Sequence, residues 1–79
     1  MILNHLQKGQ FAVVAKVDDA YENDPISHRM RELGFISGAR IRLVTKSVWG
    51  GNTLVIQLGN TRFALRKQEA QRITLTSDQ

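Results

Sequence analysis

His28 and Glu32 stand four residues apart in the stretch ISHRMRELGF, a spacing that sets two potential metal ligands on one face of a helix. Two ligands do not complete a metal site, and the only other histidine, His5, lies far off in the chain. The pair therefore reads as a solvated helical couple, and a metal-sensing role would rest on it alone. Acid–base chemistry has no better footing. The acids Asp18, Asp19, Glu22 and Asp24 fall in one stretch, where solvent is expected to keep them ionised, whereas general catalysis needs a carboxyl shifted by burial or a partner. Ser27 and Ser37 sit in no nucleophile elbow. Gly50-Gly51 joins two strand-like runs with no lysine after it, so it reads as a hairpin turn rather than a phosphate loop. The chain contains no cysteine, which excludes thiol catalysis, thiolate-bound zinc and disulfides. No catalytic, cofactor or metal site is expected, and the chain is read as a non-enzyme.

Binding chemistry is the remaining class. The formal net charge is +4 and the isoelectric point about 10.1, which suits a polyanionic partner but also suits simple solubility. Arg40, Arg42 and Lys46 alternate along a strand-like run and are expected to form an outward basic stripe. That stripe is the basis of an alternative reading, a small barrel that binds nucleic acid. Small barrels bind single strands by stacking bases on exposed aromatic rings. Alternation places Phe11 and Phe63 on buried faces here, and Phe35 belongs to a helix stop. Only Tyr21 and Trp49 are left for the surface. Trp49 precedes the hairpin tip, where it either caps the open end of a barrel or anchors a partner.

These residues need elements to position them. Phe11, Val13, Ala15 and Val17 alternate with Ala12, Val14, Lys16 and Asp18, the pattern of a strand with one buried face. Asp24-Pro25 opens a helix over about residues 25–33, with the aspartate as cap and proline where no donor is needed. Ile26, Met30 and Leu33 share one face of it; Gly34 ends it in the left-handed region, and Gly38 closes a following turn. The outer side keeps His28, Arg29, Arg31 and Glu32. With Trp49, these are the residues expected to contact a partner. Period two returns from Ala39, with Ile41 and Leu43 inward. Gly50-Gly51-Asn52 turns the chain into Thr53 to Leu58, and Gly59-Asn60 turns it again into Thr61 to Arg66. A helical turn near residues 67–70 follows, with Arg66 bracing it through Glu69 or backbone carbonyls, then a last strand carrying Ile73 and Leu75. About five short strands and one early helix indicate a mainly β fold, a small antiparallel barrel forming a single domain over residues 1–79. An unpaired barrel edge leaves room for a homodimer. The longest apolar run, Phe11 to Ala15, falls far short of the ~20 residues of a membrane helix. The first ten residues lack the features of a signal peptide, so a cytoplasmic location is expected.

The order of motifs resembles the FeoA family of small ferrous iron transport accessory proteins over about residues 3–75. Arg29, Met30, Leu33, Gly34, Phe35 and Gly38 match its helix-and-turn motif. Ala64, Leu65, Arg66, Glu69, Ala70 and Ile73 match its closing motif. The resemblance implies an SH3-like barrel without catalysis. It also implies a partner, the cytosolic GTP-binding portion of the FeoB-type ferrous iron transporter, at which the chain would sit peripherally on the inner membrane. In place of the family's proline-bearing hairpin tip, the chain has VWGGNT. The family's iron role does not by itself make the chain an iron binder, since it offers no set of hard ligands.

Overall fold

The computed structural model describes residues 2–47 and 53–76. Trp49, Gly50 and Gly51 lie outside the described residues. Strands β1 (Phe11–Val17), β2 (Arg40–Ser47), β3 (Thr53–Leu58), β4 (Thr61–Leu65) and β5 (Ile73–Leu75) form an antiparallel sheet in the order β4-β3-β2-β1-β5. Helix α1 (Pro25–Leu33) links β1 to β2, and the short helix α2 (Lys67–Ala70) links β4 to β5. A 3-10 turn at Leu3–His5 precedes β1, and Ile2 bridges to Thr74.

Strand β1 serves two partners. Phe11 to Val13 pair with β2, and Val14 to Val17 pair with β5, with a bulge between Val14 and Lys16. A bulge adds one residue and reverses the side-chain alternation beyond it. Val14 and Val17 are therefore both buried, while Phe11 is 72% exposed. This corrects the expectation that Phe11 faces inward. Its register neighbour Ala12 pairs with buried Ile41, so the phase before the bulge puts Phe11 and Val13 on the outer face. Phe63, in contrast, does pack on the core, with its ring centroid 5.7 Å from that of Phe35.

A second bulge, between Leu43 and Thr45 in β2, corrects the basic stripe. Arg40 and Arg42 point outward. Beyond the bulge Lys46 stands opposite buried Leu54, on the core side of the sheet at its rim, and its Nζ donates to the Asn4 carbonyl at 3.2 Å.

Helix α1 starts where its chemistry dictates. Asp24 Oδ1 accepts from the Ile26 N–H at 3.0 Å, and Pro25 follows in the first helical position. The helix ends at Gly34, at φ 111°, with the Phe35 N–H returning to the Met30 carbonyl at 3.2 Å. That backbone angle strains any residue with a Cβ, and an added Cβ would also lie 3.2 Å from Leu58 Cδ2. The turn to β2 is stitched to β1: the Gly38 N–H donates to the Val14 carbonyl, and the Val14 N–H donates to the Ala39 carbonyl, each at 2.8 Å. The helix buries Met30 and Ser27, with Leu33 packed at the edge of a core built on Phe35, Leu43, Ile56 and Ile73. Leu3 and Leu6, in the lead before β1, are also buried. The fold is mainly β, as expected.

Candidate functional site

The outer side of α1 carries all four described residues singled out for partner contact. His28 Nε2 lies 3.2 Å from Glu32 Oε2, and both side chains are mostly exposed. Arg29 Nη1 reaches Glu69 Oε2 of α2 at 3.3 Å. Arg31 Nη2 donates to the Val17 carbonyl at 2.8 Å and to Asp19 Oδ1 at 3.0 Å. The helix face is therefore a set of paired charges, with its two arginines held by carboxylates of neighbouring segments. Glu69 is shared: its Oε1 accepts from the backbone N–H of Arg66 at 2.8 Å. The expected brace of α2 by Arg66 through Glu69 is present, and it runs through the main chain of Arg66.

Beneath this face lies a polar knot that corrects the picture of a solvated acidic loop. The Asp24 side chain is fully shielded from solvent, and that of Arg72 is only 12% exposed. Arg72 Nε donates to Asp24 Oδ2 at 2.9 Å, and its Nη1 donates to the Gln68 carbonyl at 2.9 Å. The Ala20 N–H also donates to Asp24 Oδ2, at 2.9 Å. Three donors on one carboxylate favour its ionised form. The Arg72 hydrogen bond is the largest cause and the two backbone donors add to it, so that against the cost of burial the Asp24 carboxyl is held down to about 2. Asp19 is lowered chiefly by the Ser27 hydroxyl, then by Arg31. Asp18 is lowered chiefly by Thr74 Oγ1, which donates to it at 2.6 Å. Asp24 is thus kept ionised by donors alone, whereas half-exposed Asp18 and Asp19 have both donors and water. Ser27, which donates to Asp19 and lies 3.1 Å from the Asp24 carbonyl, belongs to the same knot.

Among the described residues, no three His, Asp or Glu side chains cluster so as to hold a metal ion. His28 and Glu32 remain a couple.

The outer face of the sheet presents residues that alternation alone misplaced. Phe11, Arg42, Gln57 and Arg62 stand side by side in register across β1, β2, β3 and β4. The Arg42 guanidinium carbon lies 5.3 Å from the centre of the Phe11 ring. Arg40, opposite Val13, flanks this row. None of the ion pairs among the described residues involves Arg40, Arg42 or Arg62. The signal was partly present in the sequence as Arg40 and Arg42. Arg62 and Phe11 join them only through pairing across strands.

A bent first strand shared by two sheet halves, crossed by one short helix, defines a small SH3-like β domain. The FeoA-domain family matches residues 1–77, and the chain belongs to that family. It is similar to FeoA from Stenotrophomonas maltophilia, at 45% identity and a TM-score of 0.89, over 98% of this chain and 91% of that one. That protein was solved complexed with zinc and is described as an SH3 domain protein and a candidate bacterial ferrous iron transport activating factor. FeoA from Chlorobium tepidum is similar at 27% identity and a TM-score of 0.77, over 95% of this chain and 68% of that one. A manganese-dependent transcriptional repressor shares the fold over 98% of this chain and 41% of its own, at 19% identity and a TM-score of 0.79. At that identity the likeness concerns the fold alone. No curated protein matches the chain.

Proposed function

We propose that this chain is a non-enzymatic, cytosolic interaction module that docks on the cytosolic GTP-binding portion of a FeoB-type ferrous iron transporter and supports or regulates Fe(II) transport. The observation that carries this reading is the FeoA-domain match over residues 1–77, from one end of the fold to the other. The description of the similar S. maltophilia protein as a candidate transport activating factor supports it. So does the architecture, in which no helix among the described residues is long and apolar enough to cross a membrane. Iron is the transporter's cargo in this reading, and the chain acts on the carrier rather than on the ion.

The α1 face offers His28, Arg29, Arg31 and Glu32 to the partner, and Trp49 is a further anchor. The test is retention of the purified chain on the immobilised, folded cytosolic portion of the transporter. The wild type is expected to be retained. Arg29→Glu/Arg31→Glu and Trp49→Ala are expected to lower retention while keeping a native far-UV spectrum. Absence of wild-type retention overturns the reading.

A further inference from the structure

An exposed phenylalanine means little by itself. Phe11 differs because of its surroundings. Beside it a groove of about 290 Å³ opens between β1, β2 and the end of β5, and its lining includes Leu6, Phe11, Val13, Arg40, Ile41 and Leu75. The groove thus reaches apolar side chains of the core itself. On its other flank stand Arg42 and, two strands further on, Arg62. The carboxylates of Asp18, Asp19, Asp24 and Glu69 are committed to ion pairs around α1, α2 and the end of β1, and Glu32 lies against His28. Among the described residues Arg40, Arg42 and Arg62 on the sheet face belong to no ion pair, and they stand close enough together to act on one ligand.

We infer that this face is a recognition surface for an acidic, extended peptide segment of a protein partner, with one apolar residue entering the groove beside Phe11 and two carboxylates reaching Arg42 and Arg62. The inference rests on reading the chain as an interaction module, and it places a contact away from α1. Strand spacing sets the segment's pattern. Neighbouring strands lie about 4.8 Å apart, so Arg42 and Arg62 are separated by roughly 10 Å; same-face side chains of an extended chain recur every second residue, at about 6.7 Å, and the long arginine side chains close the difference. The anchor, one strand spacing before Arg42, falls one or two residues ahead of the first carboxylate. Arginine forks match carboxylates in pairs of hydrogen bonds.

Two other occupants fit less well. A second copy of the chain would bring three more arginines against these three. A nucleic acid strand would gain phosphate contacts but nothing from the apolar groove, and the Phe11 ring that would stack a base is already met by Arg42.

The test uses the full chain, isotope-labelled, titrated with the synthetic peptide Leu-Ser-Glu-Ser-Glu and with the same sequence carrying Ile, Met or Phe at the first position. Backbone amide shifts are expected to concentrate on residues 11–13, 40–42 and 57–62 for at least one peptide and to saturate. Glycine at the anchor, lysine at both glutamates, or Arg42→Glu/Arg62→Glu in the protein should each weaken binding at least tenfold. Phe11→Ser, which touches only the rim, keeps the fold measurable while lowering affinity. Absence of saturable shifts, shifts confined to α1, tighter binding of oligothymidine to the same row, or a dimer lost in Phe11→Ser would each overturn the inference. Peptide failure leaves transporter docking standing, and loss of transporter retention leaves the peptide result standing, so the two readings fail separately.

Discussion

Asp24 caps helix α1 with one oxygen and holds Ala20 and Arg72 with the other. Its ionised form is therefore a condition of the native packing between the loop after β1, the helix and the turn before β5. The sign of the pH dependence follows. The carboxyl titrates at about 2 in the folded chain against an ordinary value of 3.8, so the folded state binds the proton less readily than the unfolded one. The stabilisation is complete above pH 3.8 and drains away as the pH falls toward 2. Asp18 and Asp19 are shifted the same way and add to the acid limb. Asp24→Asn is expected to lower the urea midpoint at neutral pH and to flatten, without abolishing, its fall between pH 4 and pH 2. An unchanged acid limb would show that the Arg72 pair contributes nothing. The cap could be read from Asp24-Pro25, because capping is local. Arg72 could not, because it comes from 48 residues further along the chain and only the closed fold brings it in.

At the level of elements, helix α1 holds its place through one fully buried apolar side chain. With nine residues it is shorter than the ~12–15 that make even a favourable isolated helix marginal in water, so docking decides its stability. Met30 is completely buried, whereas Leu33 lies at the core's edge. Met30→Ala is expected to cost about 2–5 kcal/mol, and Leu33→Ala less, measured as the difference in unfolding free energy from denaturant titration. The reverse order would place the helix's energetic centre at its C-terminal turn. Helix and strand positions were legible because Asp-Pro, Gly34 and the glycine turns are local signals. The faces of β1 and β2 were legible only up to their bulges. A bulge shifts register by one residue, and nothing in the alternation of Phe11 to Val17 or Arg40 to Lys46 announces it; it follows from one strand having to satisfy two partners. The burial of Leu3 and Leu6 was missed for a related reason. Leu3 opens a 3-10 turn with no period to detect and Leu6 follows it, next to the bridge of Ile2 to Thr74.

Across the whole molecule, two charged regions differ in character. Around α1 the cations and anions satisfy each other, and a partner docking there must trade existing pairs for new ones. On the sheet face Arg40, Arg42 and Arg62 have no such pairs to give up among the described residues, so they attract an approaching anionic surface over distance. Long-range attraction acts on the association rate and is screened by salt, while close contacts act on dissociation. The two regions should therefore be separable kinetically in the proposed docking on the transporter's cytosolic portion. Raising the ionic strength from about 0.01 M to about 1 M shortens the screening length from about 30 Å to about 3 Å. The wild-type association rate is expected to fall by roughly tenfold or more over that range. Arg40→Gln/Arg42→Gln/Arg62→Gln should start slower at low salt and show a much flatter dependence, with the dissociation rate less affected. Arg29→Gln/Arg31→Gln should retain most of the wild-type salt slope, because those charges are already neutralised by Glu69 and Asp19. If the α1 variant flattens the slope and the sheet variant does not, steering belongs to the helix, and the sheet-face arginines have no part in finding the partner.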